Sequence, residues 1–155
     1  MIPWHADSVQ VHVDLSAPVV AGWTVDVGAI AYLYPGEPNG ALETYVEAKL
    51  GASRSFDRLS VAATAFWSPD FFGTEKEATY AQGDIGYKVA DRLTISGALG
   101  HQWVSSNADY GAWNAGATYA LTSRIALDLR YFDTDAHSLG DVYGARAVGT
   151  LKATF

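Results

Sequence analysis

The strongest constraint on this chain is a two-residue periodicity that runs almost from end to end. Val9, Val11, Val13 and Leu15 alternate with Gln10, His12, Asp14 and Ser16. The same pattern returns with Trp23, Val25, Val27, Ala29, Ala31 and Leu33, and again with Val46, Ala48 and Leu50. Later apolar faces are Leu59 to Trp67, Ala81 to Val89, Leu93 to Trp103, Trp113 to Leu121, Ile125 to Tyr131 and Tyr143 to Phe155, each taken by twos. Successive side chains of a strand point to opposite faces. Each stretch therefore predicts a strand with one apolar and one polar face. The count is about nine, and most are roughly 9–11 residues long, against about 5–6 for an average globular strand and about 9–11 for a strand tilted through a bilayer.

The connections alternate in length. Short ones fall near 18–22, 54–58, 90–92 and 122–124, and long ones near 35–42, 69–76, 104–109 and 133–141. Outer-membrane barrels have short periplasmic turns and longer extracellular loops. Charge follows the same division. Glu37, Asp70, Glu75, Glu77, Asp109, Asp133, Asp135 and Asp141 lie in the long connections, where Lys76 is the only Lys or Arg. Arg54, Arg58, Arg92 and Arg124 lie in the short ones, beside Asp57 and Asp91. With the turns inside and the loops outside, Trp67, Trp103, Trp113, Tyr131 and Tyr143 fall at the outer ends of the apolar faces. Trp23, Tyr87, Tyr119 and Phe155 fall at the periplasmic ends. Two belts of amphipathic rings with Ala, Gly and Val between them are expected at two membrane interfaces. A soluble core has no reason to sort its largest rings to both ends.

The opposite face carries Asp26, Glu47, Lys49, Asp84, Lys88, Asp128, Arg130, Arg146 and Lys152. These are the expected lumen-lining residues, because charges of both signs on neighbouring strands can pair and stay partly hydrated in a wet lumen. Small residues at Ala62, Ala98, Gly100, Ala112, Gly116 and Ala120 share that face and leave room for water. The solvated outside of a soluble barrel would also carry mixed charge, so this face by itself does not discriminate.

Composition agrees. Only 17% of the 155 residues are charged, against about 25% in soluble domains, while 49% are hydrophobic and 13% aromatic. A net charge of -7 argues against a nucleic-acid partner. The absence of Cys excludes disulfides and thiolate metal sites. No apolar run approaches the roughly 20 residues of a membrane helix. No catalytic constellation emerges: His12 shares the polar face with Asp14 and Ser16, but a nucleophile, base and orienting group do not converge in the pattern. His101 falls on the apolar face. Asp133-Thr134-Asp135-Ala136-His137 begins like a calcium loop, but Ser138 and Gly144 stand where that loop requires Gly and Glu. No metal and no cofactor are expected.

Met1-Ile2-Pro3-Trp4-His5-Ala6-Asp7 lacks the basic start and apolar core of a signal peptide. If Phe155 is periplasmic, the ninth and first strands both run downward, whereas bacterial single-chain barrels have an even strand number. The preferred expectation is therefore an N-terminally truncated barrel domain over 9–155, with 1–8 a disordered or truncated N-terminus. The alternative is that 9–15 is no membrane strand and the barrel has eight.

Several segments also resemble TorF-type porins, a proteobacterial outer-membrane family. They are Asp26-Val27-Gly28 leading to Tyr32-Leu33-Tyr34-Pro35-Gly36, Trp67-Ser68-Pro69-Asp70-Phe71-Phe72-Gly73, Leu93-Thr94-Ile95-Ser96 with Gly100-His101-Gln102, and Tyr131-Phe132-Asp133-Thr134-Asp135. Each is short and β-rich; their order and spacing carry the resemblance, which covers 9–155. It implies a porin-like role in the outer membrane and supplies no catalytic residues. The leading expectation is a non-enzymatic, antiparallel up-and-down transmembrane barrel passing small polar solutes. Its expected partners are outer-membrane lipid, lipopolysaccharide, and the assembly machinery that reads a C-terminal aromatic strand. Two alternatives stand beside it: a structural or adhesive barrel with a plugged lumen, and a soluble barrel with its aromatics turned inward on an apolar ligand.

Overall fold

The computed structural model describes residues 9–33, 45–70, 77–104 and 109–154. Those residues form a single antiparallel sheet of nine strands in up-and-down order. The strands are β1 (Val9–Pro18), β2 (Thr24–Leu33), β3 (Tyr45–Phe56), β4 (Leu59–Ser68), β5 (Ala78–Ala90), β6 (Leu93–Val104), β7 (Tyr110–Ala120), β8 (Ile125–Thr134) and β9 (Arg146–Ala153). Each pairs only with its sequence neighbours, and β1 and β9 are the two edges.

The short connections are tight for local reasons. Asp57 and Arg58 alone join β3 to β4, with Asp57 at a φ of 52°, a left-handed conformation that Asp tolerates better than most side chains. Between β5 and β6 the turn is Asp91 and Arg92, preceded by a register shift between Lys88 and Ala90 that bends the strand end. The carbonyls of Arg58, Arg92 and Arg124 each accept a backbone hydrogen bond from the strand beyond the hairpin, from Lys88, Ala120 and Thr154. Three successive turns are thus locked to the sheet in the same way.

Two boundaries depart from the alternation. The third strand extends to Phe56, because Ala52 to Phe56 continue the ladder against Leu59 to Ala63. Arg54 is therefore a strand residue rather than a turn residue, and its guanidinium lies 4.3 Å from the Phe56 ring centroid. The ninth strand begins only at Arg146. Tyr143 closes a 3-10 turn (Asp141–Tyr143) instead, held there by the Thr134 hydroxyl, which donates to its carbonyl at 2.6 Å.

The sheet has no apolar core. Among the described residues only Ile30, Tyr45, Ala78 and Ala136 are buried hydrophobics. Val13, Leu15, Leu50, Ile85, Leu99, Leu129 and Leu151 stand exposed on one face, Leu99 at 72%. The polar face is the concave one. Arg130 on β8 reaches over β7 to Ser96 on β6, and Lys49 on β3 reaches over β2 to Asp14 on β1. A soluble barrel with its rings turned inward is overturned by this arrangement: Trp67, Trp103, Trp113, Tyr87, Tyr119 and Tyr131 are all exposed on the convex face.

Close strand contact rests on small residues. Gly116 pairs directly with Arg130, and a Cβ at Gly116 would lie 2.6 Å from the Leu129 carbonyl and 3.0 Å from the Arg130 Cβ. Backbone cannot yield as a side-chain tip can. Gly116→Val is expected to destabilise the fold by about 1–3 kcal/mol, read as a lower urea midpoint in lipid vesicles.

Candidate functional site

The concave face holds the residues that the alternation assigned to a lumen. Two ionic clusters organise it. On β1 to β3, Lys49 Nζ lies 2.5 Å from Asp26 Oδ1 and 2.9 Å from Asp14 Oδ1, and the Ser16 hydroxyl donates to Asp26 at 2.5 Å. Period two puts these four side chains on one face. The register Asp14–Gly28–Lys49 puts Lys49 two strands from Asp14 with only a glycine between them. On β6 to β8, Arg130 donates to both oxygens of Asp128 at 3.2 Å, to Asn114 at 2.6 Å and to Ser96 at 2.7 Å. Thr118 adds a bond to Asp128 at 2.6 Å. All these groups remain partly exposed to solvent, which lowers the cost of carrying charge on this face.

The other assigned positions stand more separately. Glu47 accepts from the Tyr32 hydroxyl at 3.1 Å. Asp84 accepts from Gln82 at 2.8 Å, and Gln82 accepts from Tyr80 at 2.7 Å. Lys88 and Lys152 are exposed near the short-turn end. Arg146, at the start of β9, donates to the Val142 carbonyl.

Inner-face aromatics were missed in the reading of the sequence. Tyr32 and Tyr45 stack at 4.4 Å, and Phe66 lies 6.5 Å from Tyr80. The ring of Tyr143 stands edge-on to inner-face Tyr110 at 5.2 Å. Tyr143 is thus no part of an outer belt. It belongs to the β8–β9 connection, whose Val142 and Gly144 line a cavity of about 450 Å3 together with Tyr80, Asn114, Phe132 and Arg146. The loop-side half of the concave face is therefore aromatic, while its turn-side half carries small and hydroxyl side chains. The signal was available: Tyr32, Tyr45, Phe66, Tyr80, Tyr110 and Phe132 share the parity of the charged positions. The Tyr80 ring fits because Gly100 across the ladder has no side chain; a Cβ there would collide with the phenol.

On the convex face, Trp67, Trp103, Trp113 and Tyr131 stand at the long-loop ends, and Trp113 lies 5.4 Å from Tyr131. Tyr87 and Tyr119 stand near the short-turn ends, as does Trp23 just before β2. Phe155, residues 1–8, and Glu37, Glu75 and Lys76 lie outside the described residues. Asp133 and Asp135, the start of the calcium-like stretch, are engaged within the protein: Asp133 with His137 at 2.6 Å and Asp135 with the Gly111 N–H at 2.8 Å. Among the described residues no group of three or more His, Asp or Glu side chains is placed to hold a metal ion.

An antiparallel meander with an apolar outside, belts of rings and an ionic inner face is the architecture of a porin-like β-barrel, and known structures agree. The chain is similar to a porin refined at 1.8 Å resolution, with a TM-score of 0.62 and 16% sequence identity. The match covers 94% of this chain and 51% of the porin, so this chain spans about half the porin's length. By sequence, the chain belongs to Gcw_chp, a family of bacterial proteins of unknown function, whose pattern matches residues 9–155. No curated protein matches it.

The β1–β3 cluster offers a direct test. Lys49→Gln removes the cation that, among the described residues, pairs with both Asp14 and Asp26. In planar bilayers the variant is expected to move toward cation selectivity severalfold, read as the reversal potential in a salt gradient. An unchanged reversal potential would show that this cluster faces no ion path.

Proposed function

We propose that the protein is an outer-membrane β-barrel of porin type that lets small polar solutes diffuse passively along its charged inner face. The single observation that carries this reading is the exposure of the apolar face. A chain of this size with four buried hydrophobics among its described residues, and with Leu15, Leu50, Ile85, Leu99, Leu129 and Leu151 exposed on its convex face, has no stable state in water unless something apolar covers it. A bilayer fits that face, because strands with satisfied backbone groups cross hydrocarbon only as a barrel. The likeness to TorF-type porins supports the same role. Outer-membrane lipid and lipopolysaccharide are the partners of the convex face and its rim, and the assembly machinery is the partner of the C-terminal strand. The reading assigns the protein no catalytic residue and no cofactor.

A second reading has an observation of its own. The β8–β9 connection leans over the concave face through Tyr143 and Val142, and stacked aromatics crowd the same half. This arrangement favours a lumen narrowed toward its outer mouth, and in the extreme a plugged barrel whose acidic loops are the working surface.

Refolding tests the membrane part. Diluted from urea into detergent micelles, the chain is expected to gain β circular dichroism and a heat-dependent shift in gel mobility, and to precipitate in plain buffer. A monodisperse folded protein in buffer would sink the reading. Single-channel conductance separates an open lumen from a plugged one. A point substitution adds a quantitative check. Leu99→Arg, in the middle of β6 on the convex face, is expected to cost about 2–4 kcal/mol in lipid if it faces the bilayer midplane. The same change on a water-exposed surface stays within about 0.5 kcal/mol.

A further inference from the structure

The turn-side half of the concave face contains a cavity of about 440 Å3, inside the range of about 300–1,000 Å3 typical of small-molecule sites. Register explains the hollow. The cross-strand row Ser55–Ser60–Gly86–Ser96–Gly116–Arg130 holds nothing larger than serine until it reaches Arg130. In the adjoining row Asp84 stands directly between Ala62 and Ala98, whose side chains end at Cβ. The floor is therefore hydroxyl, glycine and alanine, and two charged groups, Asp84 and Arg130, rise from it; the third charged lining residue, Arg54, holds its guanidinium 4.3 Å over the Phe56 ring.

Those two groups are not equivalent. Arg130 is neutralised by Asp128 and spreads its remaining bonds over Asn114 and Ser96. Asp84 has one bond from Gln82, and among the described residues it forms no ion pair. Gln82 is itself oriented by Tyr80, so the carboxylate is held by a relay along β5 rather than left to swing. A positioned carboxylate without a cation, facing Ser60, Thr94, Ser96 and Asn114 across an open cavity, is a complement to a solute with one positive charge and several hydroxyls. Ionised carboxylates make the stronger class of hydrogen bond to ammonium donors.

We propose that this cavity is a solute-binding subsite for small hydroxylated amines, Asp84 taking the ammonium and the serine and threonine hydroxyls taking the solute's hydroxyls. It deepens the channel reading by naming a solute class, and it requires only that the concave face be wet.

The test is calorimetric titration of the detergent-refolded protein with glucosamine, and with glucose as its neutral counterpart. Millimolar binding of glucosamine is expected, with glucose and the Asp84→Asn variant each weaker by about tenfold, the loss of one charge-assisted hydrogen bond. Asp57→Asn, in the β3–β4 turn, is expected to bind as the wild type does. Equal binding of glucosamine and glucose, or full binding by Asp84→Asn, would overturn the subsite. Should Asp84→Asn fail to fold, competition on the wild type decides: ethanolamine displaces glucosamine if the ammonium is what is recognised, and no displacement overturns the proposal. Bilayer conductance is read separately. Binding without conductance removes the channel and keeps the subsite. Conductance without Asp84-dependent binding does the reverse.

Discussion

A strand lying against hydrocarbon has no water to satisfy its N–H and C=O groups, so every one of them has to be met by a neighbouring strand. The up-and-down ladder from β1 to β9 pairs the seven inner strands on both sides over most of their length, with a register shift between Lys88 and Ala90 beside a turn. The rest of the structure depends on that ladder. It fixes parity, and parity sends Leu99, Leu129 and Trp113 to one side and Asp84, Arg130 and Asn114 to the other. A slip of one residue would put a Lys or Asp into the apolar face along a whole strand.

The same ladder constrains the edges. β1 and β9 run in the same direction, as the first and last of nine alternating strands must. Pairing them directly would be parallel. An antiparallel seam needs an odd number of further strands between them, whichever polypeptide supplies them. The porin that this chain resembles is matched over 51% of its own length.

The concave face owes its shape to contrast in side-chain size. Lys49 can span two strands because Gly28 lies between it and Asp14, and Arg130 can lie flat because Gly116 is its direct partner. The ionic clusters are therefore a property of the charged residues and of the empty positions beside them. Toward the long loops the contrast reverses, and Tyr32, Tyr45, Phe66 and Tyr80 fill the space that glycine and serine leave open toward the turns.

Strand number, direction, face assignment and the short–long alternation of connections were all legible in the sequence, because each follows from a period of two and from turn residues acting within a few positions of one another. The positions of Trp67, Trp103, Trp113, Tyr131, Tyr87 and Tyr119 near strand ends were legible for the same reason; that of Tyr143 was not. There Thr134, nine residues earlier, captures the Tyr143 carbonyl and holds it in a 3-10 turn, and no local pattern announces a contact at that distance. The extension of β3 through Arg54 was hidden because charged and serine residues read as a turn until their partners, Leu59 to Ala63, are known. What only the tertiary structure decided is which charges meet and where space remains. Alternation places Lys49 and Asp14, or Arg130 and Ser96, on one face. Register, set by backbone hydrogen bonds across strands far apart in sequence, brings them within a bond's length and leaves Asp84 facing an open cavity.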